Sequence, residues 1–265
     1  MDGLELLRRQ IALQIAWGVD EALLDAPQNR LIARPAPAES QNPPAPPPKP
    51  PLRSLTGPRL AGPAEAARIA GSCDTLMALQ AALGAFAGCA LRDTATQLVF
   101  ADGAEQTRLM LVGEAPGAEE DRIGRPFVGP AGRLLDKMLA TIGLDRTLVR
   151  IANVVPWRPP GNRVPTESEI SVCLPFLQRQ IALIKPDYLV LLGATAAKAM
   201  LQGPERSSGI RRLRGSWRAL DVTGLDAAIP CLATYHPAYL LRTPSAKREA
   251  WLDLITLAER LKTLP

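Results

Sequence analysis

Cysteine is scarce in this chain, and its spacing is poor for metal binding. The four residues, Cys73, Cys89, Cys173 and Cys231, include no C-x-x-C pair, which argues against a zinc site of the usual close spacing. Histidine is scarcer still, with His236 alone. No apolar run is long enough to span a bilayer. The most helical N-terminal stretch, 4–24, is interrupted by Arg8, Arg9, Asp20 and Glu21, so no membrane association is expected. No secretory signal is evident either, so a reducing cytoplasmic setting with free thiols is the expectation.

What is present in excess is proline, and it is unevenly placed. Eleven of the 26 prolines fall between Pro35 and Pro63. Such a stretch favours extended, partly polyproline II backbone over a packed core. Three regions result. Residues 1–25 read as an amphipathic helix with Leu6, Leu7, Ile11, Ile15 and Val19 near helical spacing. Residues 26–63 read as a linker, either a plain spacer or a ligand for a proline-recognition module. The helix and linker together offer a recruitment site for a protein partner. Residues 64–265 read as the folded domain, expected to act as a monomer. The net charge of +5 and pI of about 9.3 suit a polyanionic partner such as DNA, or are only a basic surface.

Within the domain, apolar strand-like runs at 108–112 (RLMLV), 149–155 (VRIANVV), 187–192 (DYLVLL) and 229–234 (IPCLAT) alternate with helical patterns at 74–88, 130–142, 166–184, a short one after Gly193, and 246–262. Thr166 and Glu169 form a capping box at the start of the third. The last carries Trp251, Leu254, Ile255, Ala258 and Leu261 along one face. Strands separated by helices imply a three-layer α/β/α sandwich around a mostly parallel, four-stranded sheet. In such sheets ligands bind beyond the carboxyl ends of the strands. The loops after Val112, Ile151, Leu192 and Thr234 should therefore converge.

Those loops carry chemistry. The first runs from Gly113-Glu114-Ala115 through Glu120 to Phe127 and Gly132. It is glycine-rich, yet lacks the Gly-Lys-Ser/Thr ending of a P-loop and the spacing of a dinucleotide fingerprint. Phe127, between proline and glycine neighbours, suits stacking on a planar base; a core anchor is the other reading. Asn153 ends the second strand run. Its amide can pair with a nucleobase edge, or simply terminate a strand. Arg158 and Arg163 follow in a proline-rich loop. After the last strand, His236 is locked by Pro237 and followed by Tyr239, Leu240 and Arg242. An apolar tip and a cation are what an enzyme needs to fill a gap in the base stack and hold phosphates.

The segments GEAPGAEEDRIGRPFVGPAGRLL, NVVPWRPPGNRVP and HPAYLLR, in this order over about residues 70–262, resemble the signature segments of family-4 uracil-DNA glycosylases. The resemblance implies a monofunctional enzyme that flips uracil from DNA and hydrolyses its glycosidic bond, starting base excision repair, and that is nucleoid-associated through its DNA. It implies that Glu114 and the backbone at Gly113 and Ala115 line the pocket near the sugar. Glu120 would stand where the thymine methyl is blocked, Phe127 would stack on uracil, Asn153 would pair with its O4 and N3–H, and His236 would reach O2. Arg158, Arg163, Tyr239, Leu240 and Arg242 would face DNA. A related branch that traps its product uses a histidine after the asparagine segment. Residues 161–165 hold none, so turnover is expected.

One feature departs from the family. Its members usually bind a four-iron cluster through four cysteines. Here Cys89 and Cys173 stand at two of those positions, with Arg92 and Trp157 at the others. A four-iron cluster needs four thiolates, so no cofactor is expected, with Trp157 filling the space and Cys89 and Cys173 as free thiols. Two alternatives to uracil excision stand beside it: a non-catalytic DNA-binding or scaffold module on the same fold, and a glycosylase preferring another deaminated base such as hypoxanthine.

Overall fold

The expected strand runs form the centre of one sheet. A computed structural model of the protein describes residues 62–262; the N-terminal helix and nearly all of the proline linker lie outside them. The strands are β1 (Asp102–Gly103), β2 (Leu109–Gly113), β3 (Arg150–Asn153), β4 (Tyr188–Leu192), β5 (Trp217–Leu220) and β6 (Ile229–Thr234). Their order is β1-β3-β2-β4-β6-β5. The four central strands are parallel. The sheet therefore has six strands rather than four, because β1 and β5 add antiparallel edges. These two were illegible in the sequence: β1 has only two residues, and β5 carries Arg218 amid a half-exposed pattern.

Helices cover both faces. They are α1 (Pro63–Gly71), α2 (Leu76–Ala85), α3 (Ala118–Ile123), α4 (Pro130–Ala140), α5 (Glu167–Ile184), α6 (Ala194–Met200), α7 (Ile210–Leu213), α8 (Pro237–Arg242) and α9 (Lys247–Lys262). Strand residues alternate between two cores, as the pleat requires. Met110, Val112, Leu189, Leu191, Cys231 and Ala233 join Leu79, Phe176 and Ile181 on one face. Leu109, Leu111, Ile151, Val190, Leu192 and Leu232 join Leu135, Leu139 and Leu257 on the other. α1, which the linker composition concealed, packs on α5.

Two local readings fare differently. The capping box on α5 forms: Thr166 Oγ1 accepts from the Glu169 N–H at 3.3 Å, and Glu169 Oε2 accepts from the Thr166 N–H at 2.7 Å. The apolar face of α9 is displaced from the one read in the sequence. Trp251 is 44% exposed and Ile255 36% exposed, while Ala250, Asp253, Leu254 and Leu257 point inward. Asp253 is drawn in by polar partners, Thr234 Oγ1 at 2.6 Å and the Arg214 guanidinium at 2.6 Å. A buried carboxylate so paired outcompetes an indole for the inner position. Among the described residues no helix is long and apolar enough to cross a membrane.

Candidate active site

Parallel register brings the strand ends level. Gly113 stands opposite Asn153 across β2 and β3, and Leu192 opposite Thr234 across β4 and β6. The loops beyond them enclose a pocket of about 420 Å³. Glu114, Ala115 and Glu120 line it with Phe127, Asn153, Arg163, His236, Tyr239 and Arg242. These nine were all expected from sequence. Pro116, Gly117, Ala131, Pro159, Asn162, Val164 and Ala238 complete the wall.

Three of the expected residues lie elsewhere. Gly113 stands behind the wall: a side chain there would come within 2.6 Å of the Phe127 ring and collide with the Asn153 amide. Its smallness lets ring and amide sit side by side. Arg158 turns back to Asn162 Oδ1 at 2.7 Å. Leu240, expected at the DNA-facing tip, is 1% exposed and packs with Met138, Tyr235 and Leu254. That expectation is corrected by the phase of α8. Leu240 anchors the short helix, and its neighbour Leu241, 44% exposed, is the residue that faces outward.

The loop after β2 is tied by one side chain. Glu120 Oε1 accepts from the Val128 and Gly129 N–H groups at 3.0 and 2.8 Å, and Oε2 accepts from the Gly117 N–H at 3.1 Å. Three amides thus satisfy a carboxylate that is 9% exposed, and both ends of the loop are pinned to it. Phe127 follows in the left-handed region, at φ 55°. For a bulky residue this costs on the order of 1–3 kcal/mol and persists only where surroundings impose it. Its ring centroid lies 5.4 Å from that of His236, with 31° between the planes.

His236 is fixed in one tautomer. Its Nδ1 accepts from the Ala238 N–H at 3.2 Å, so the proton is on Nε2. Burial, aided by the charge of Arg242, pushes the ring's pKa down to about 4. Gly193 makes room for it, since a side chain there would meet the His236 Cβ at 2.9 Å. The result is a neutral imidazole that can donate from Nε2. Asn153 is 5% exposed, and among the described residues its Oδ1 has no hydrogen-bond partner, an unusual state for a buried amide oxygen. Glu114 is held by a residue the sequence reading missed: Thr195 Oγ1 donates to Glu114 Oε2. The hint was position, for Thr195 lies in the first turn of α6, directly after one of the four strand ends expected to converge.

At the corner where the family's cluster would sit, the donor set does not fit it. All four cysteines are free and buried. The Cys89 and Cys173 thiols share a hydrogen bond, which together with burial holds the Cys173 thiol well above its usual range. Trp157 is 2% exposed and lies in the same core as both. Arg92 turns outward, 3.5 Å from the Ala85 carbonyl. Among the described residues no three His, Cys, Asp or Glu side chains are grouped to hold a metal.

The uracil DNA glycosylase superfamily model matches residues 100–255. The chain belongs to this superfamily. It is 46% identical to a type-4 uracil-DNA glycosylase of Thermotoga maritima over 59% of this chain and 78% of that one. Identity is 40% to type-4 enzymes of Pyrobaculum aerophilum, over 63% and 84% of the two chains, and of Archaeoglobus fulgidus, over 64% and 85%. These relatives support assignment to the type-4 branch, and each matches under two thirds of this chain.

Proposed function

We propose that the protein is a monofunctional uracil-DNA glycosylase that takes uracil out of the stack and hydrolyses its glycosidic bond, initiating base excision repair. The observation that carries the reading is the buried, unpartnered Asn153 Oδ1 beside Phe127. A buried acceptor without a donor is costly unless a ligand supplies one. The uracil N3–H does, while O4 accepts from the Asn153 amide nitrogen. Phe127 stacks on the ring, and Glu120 with its loop walls off the C5 side, where thymine carries a methyl group.

The chemistry follows from charge. When the C1′–N1 bond breaks, its electron pair leaves with uracil and positive charge builds on the sugar. The Nε2–H of neutral His236 donates to O2 and stabilises the anion. Glu114, with one oxygen bound by Thr195, offers the other to the sugar cation or to the incoming water. Water oxygen bonds C1′ and gives up a proton, the uracil anion takes one up, and uracil and an abasic site remain. Among the described residues no lysine lines the pocket, in keeping with hydrolysis rather than an amine-linked intermediate. Arg163 and Arg242 suit the phosphates, and Leu241, rather than Leu240, suits the vacated stack. The protein acts as a monomer without an iron–sulfur cluster, and residues 1–63 serve as a tether and recruitment segment.

The test is incubation of purified protein with labelled oligonucleotides bearing uracil, a thymine mismatch, hypoxanthine or xanthine, scored for abasic sites. Uracil release without strand cleavage is expected. Release of hypoxanthine in preference to uracil would replace the substrate, and no release of any base would favour a scaffold on the same fold. Anaerobically purified protein should be colourless and free of stoichiometric iron.

A further inference from the structure

Phe127 occupies its left-handed conformation because something outside the pocket holds its carbonyl. That group is Arg146, in the loop between α4 and β3. Its guanidinium donates to the Pro126 carbonyl at 3.1 Å and to the Phe127 carbonyl. It is itself clamped from both sides, by Asp136 Oδ1 of α4 at 2.8 Å and Asp102 Oδ2 of β1 at 2.7 Å. Asp102 also receives Arg125 at 2.9 Å. Gly132 presses on the same carbonyl from α4, where any side chain would overlap it. Arg146 does not line the pocket.

We propose that Arg146 is a positioning residue that sets the plane of the Phe127 ring, and through it the width of the slot that accepts the base. Only a planar fork spans two successive carbonyls and two carboxylates at once; a lysine, with one point of charge, holds the aspartates but not the turn. The consequence for base capture rests on the glycosylase reading, whereas the fixing of the ring does not.

The chain has four phenylalanines, so labelling with 4-fluorophenylalanine gives four fluorine resonances, and Phe127→Leu identifies that of Phe127. In Arg146→Met and Arg146→Lys the Phe127 resonance alone should shift or broaden, with Phe86, Phe100 and Phe176 unmoved. An unchanged Phe127 resonance in the lysine variant overturns the assignment. So does equal movement of all four in both variants, which marks a general structural role. In binding assays with DNA bearing a non-hydrolysable 2′-fluoro uracil nucleotide, Arg146→Lys should lose roughly tenfold in affinity while binding to abasic DNA stays within about twofold. Adding Phe127→Leu should cause no further loss. Equal losses on both DNAs, or additive effects, would refute the coupling. If the wild type fails to release uracil, the glycosylase reading falls, and the fluorine spectra still decide the role of Arg146.

Discussion

Two corners of the molecule, the pocket at the strand ends and the corner around Cys89 and Cys173, are built in opposite ways. In the pocket at the strand ends, polar groups stay buried and partly unsatisfied, as Asn153 Oδ1 shows, and backbone strain is retained at Phe127. At the Cys89–Cys173 corner, two buried thiols share a hydrogen bond, Arg92 turns outward, and Trp157 packs in the same core. Cost without structural return is tolerated where a ligand will offset it. Where the side chains present fit no ligand, apolar packing takes over. The two corners should therefore respond to mutation in opposite ways.

The largest effect should come from the packed corner and appear only in stability. Trp157→Ala should destabilise the fold by about 3–5 kcal/mol, as large-to-small core changes do, read as a fall in the denaturation midpoint. The variant should still excise uracil at low temperature. Activity lost while stability stays intact would place Trp157 in the site and collapse the contrast.

His236→Ala should do the reverse. It should raise the barrier by about 2.7–4 kcal/mol, the cost of one lost oxyanion donor, with little change in midpoint. Single-turnover rates at saturating enzyme measure it. The pH dependence sharpens the point. The folded ring titrates at about 4 against an ordinary 6.5. Between those values the unfolded chain binds the extra proton. The ring's contribution to stability is thus complete above 6.5 and lost as pH falls toward 4. The excision rate should likewise hold steady as pH falls through 6.5 and decline only near 4, where protonation of Nδ1 breaks its bond with Ala238. A midpoint near 6.5 in the rate would contradict a neutral donor.

Thr195→Val removes one hydrogen bond to a carboxylate, worth about 1.5–3 kcal/mol. The excision rate should drop by that amount, and Thr195→Ser should restore most of it. Failure of serine to rescue would mean that the methyl group, not the hydroxyl, matters. The smallest effect should be deletion of residues 1–60, which should leave the excision rate nearly unchanged, since a proline-rich tether transmits little to a folded domain. A truncated protein that no longer folds would show that the segment belongs to the core.

Legibility in the sequence tracked how local each cause is. The four central strands and the longer helices among them were readable because period and punctuation are set within a few residues, whereas the short α3 and α7 were not read as helices. The capping box on α5 was readable for the same reason. The edge strands were not: β1 is a two-residue pairing created by β3, with no period of its own. Nor was the phase of the short helices. Leu240 and Leu241 are chemically alike, and only the packing of α8 against Met138 and Leu254 decides which one is inside. Trp251 outside and Asp253 inside on α9 defy the hydrophobic pattern because Arg214, 39 residues away, supplies the charge that makes burial tolerable.

The sequence by itself determined the alternation that builds the sheet, the chemical types delivered to the strand ends, and the presence of only two cysteines where a cluster needs four thiolates. Each follows from residue identity and order alone. Tertiary structure decided which nitrogen of His236 bears the proton, which hydroxyl holds Glu114 across 81 residues, and which guanidinium fixes Phe127 from 19 residues downstream. These are hydrogen bonds whose partners the chain order does not specify. They exist because parallel strands in register carry distant loops to one edge of the sheet, where donor and acceptor, once buried together, must find each other or remain unpaired.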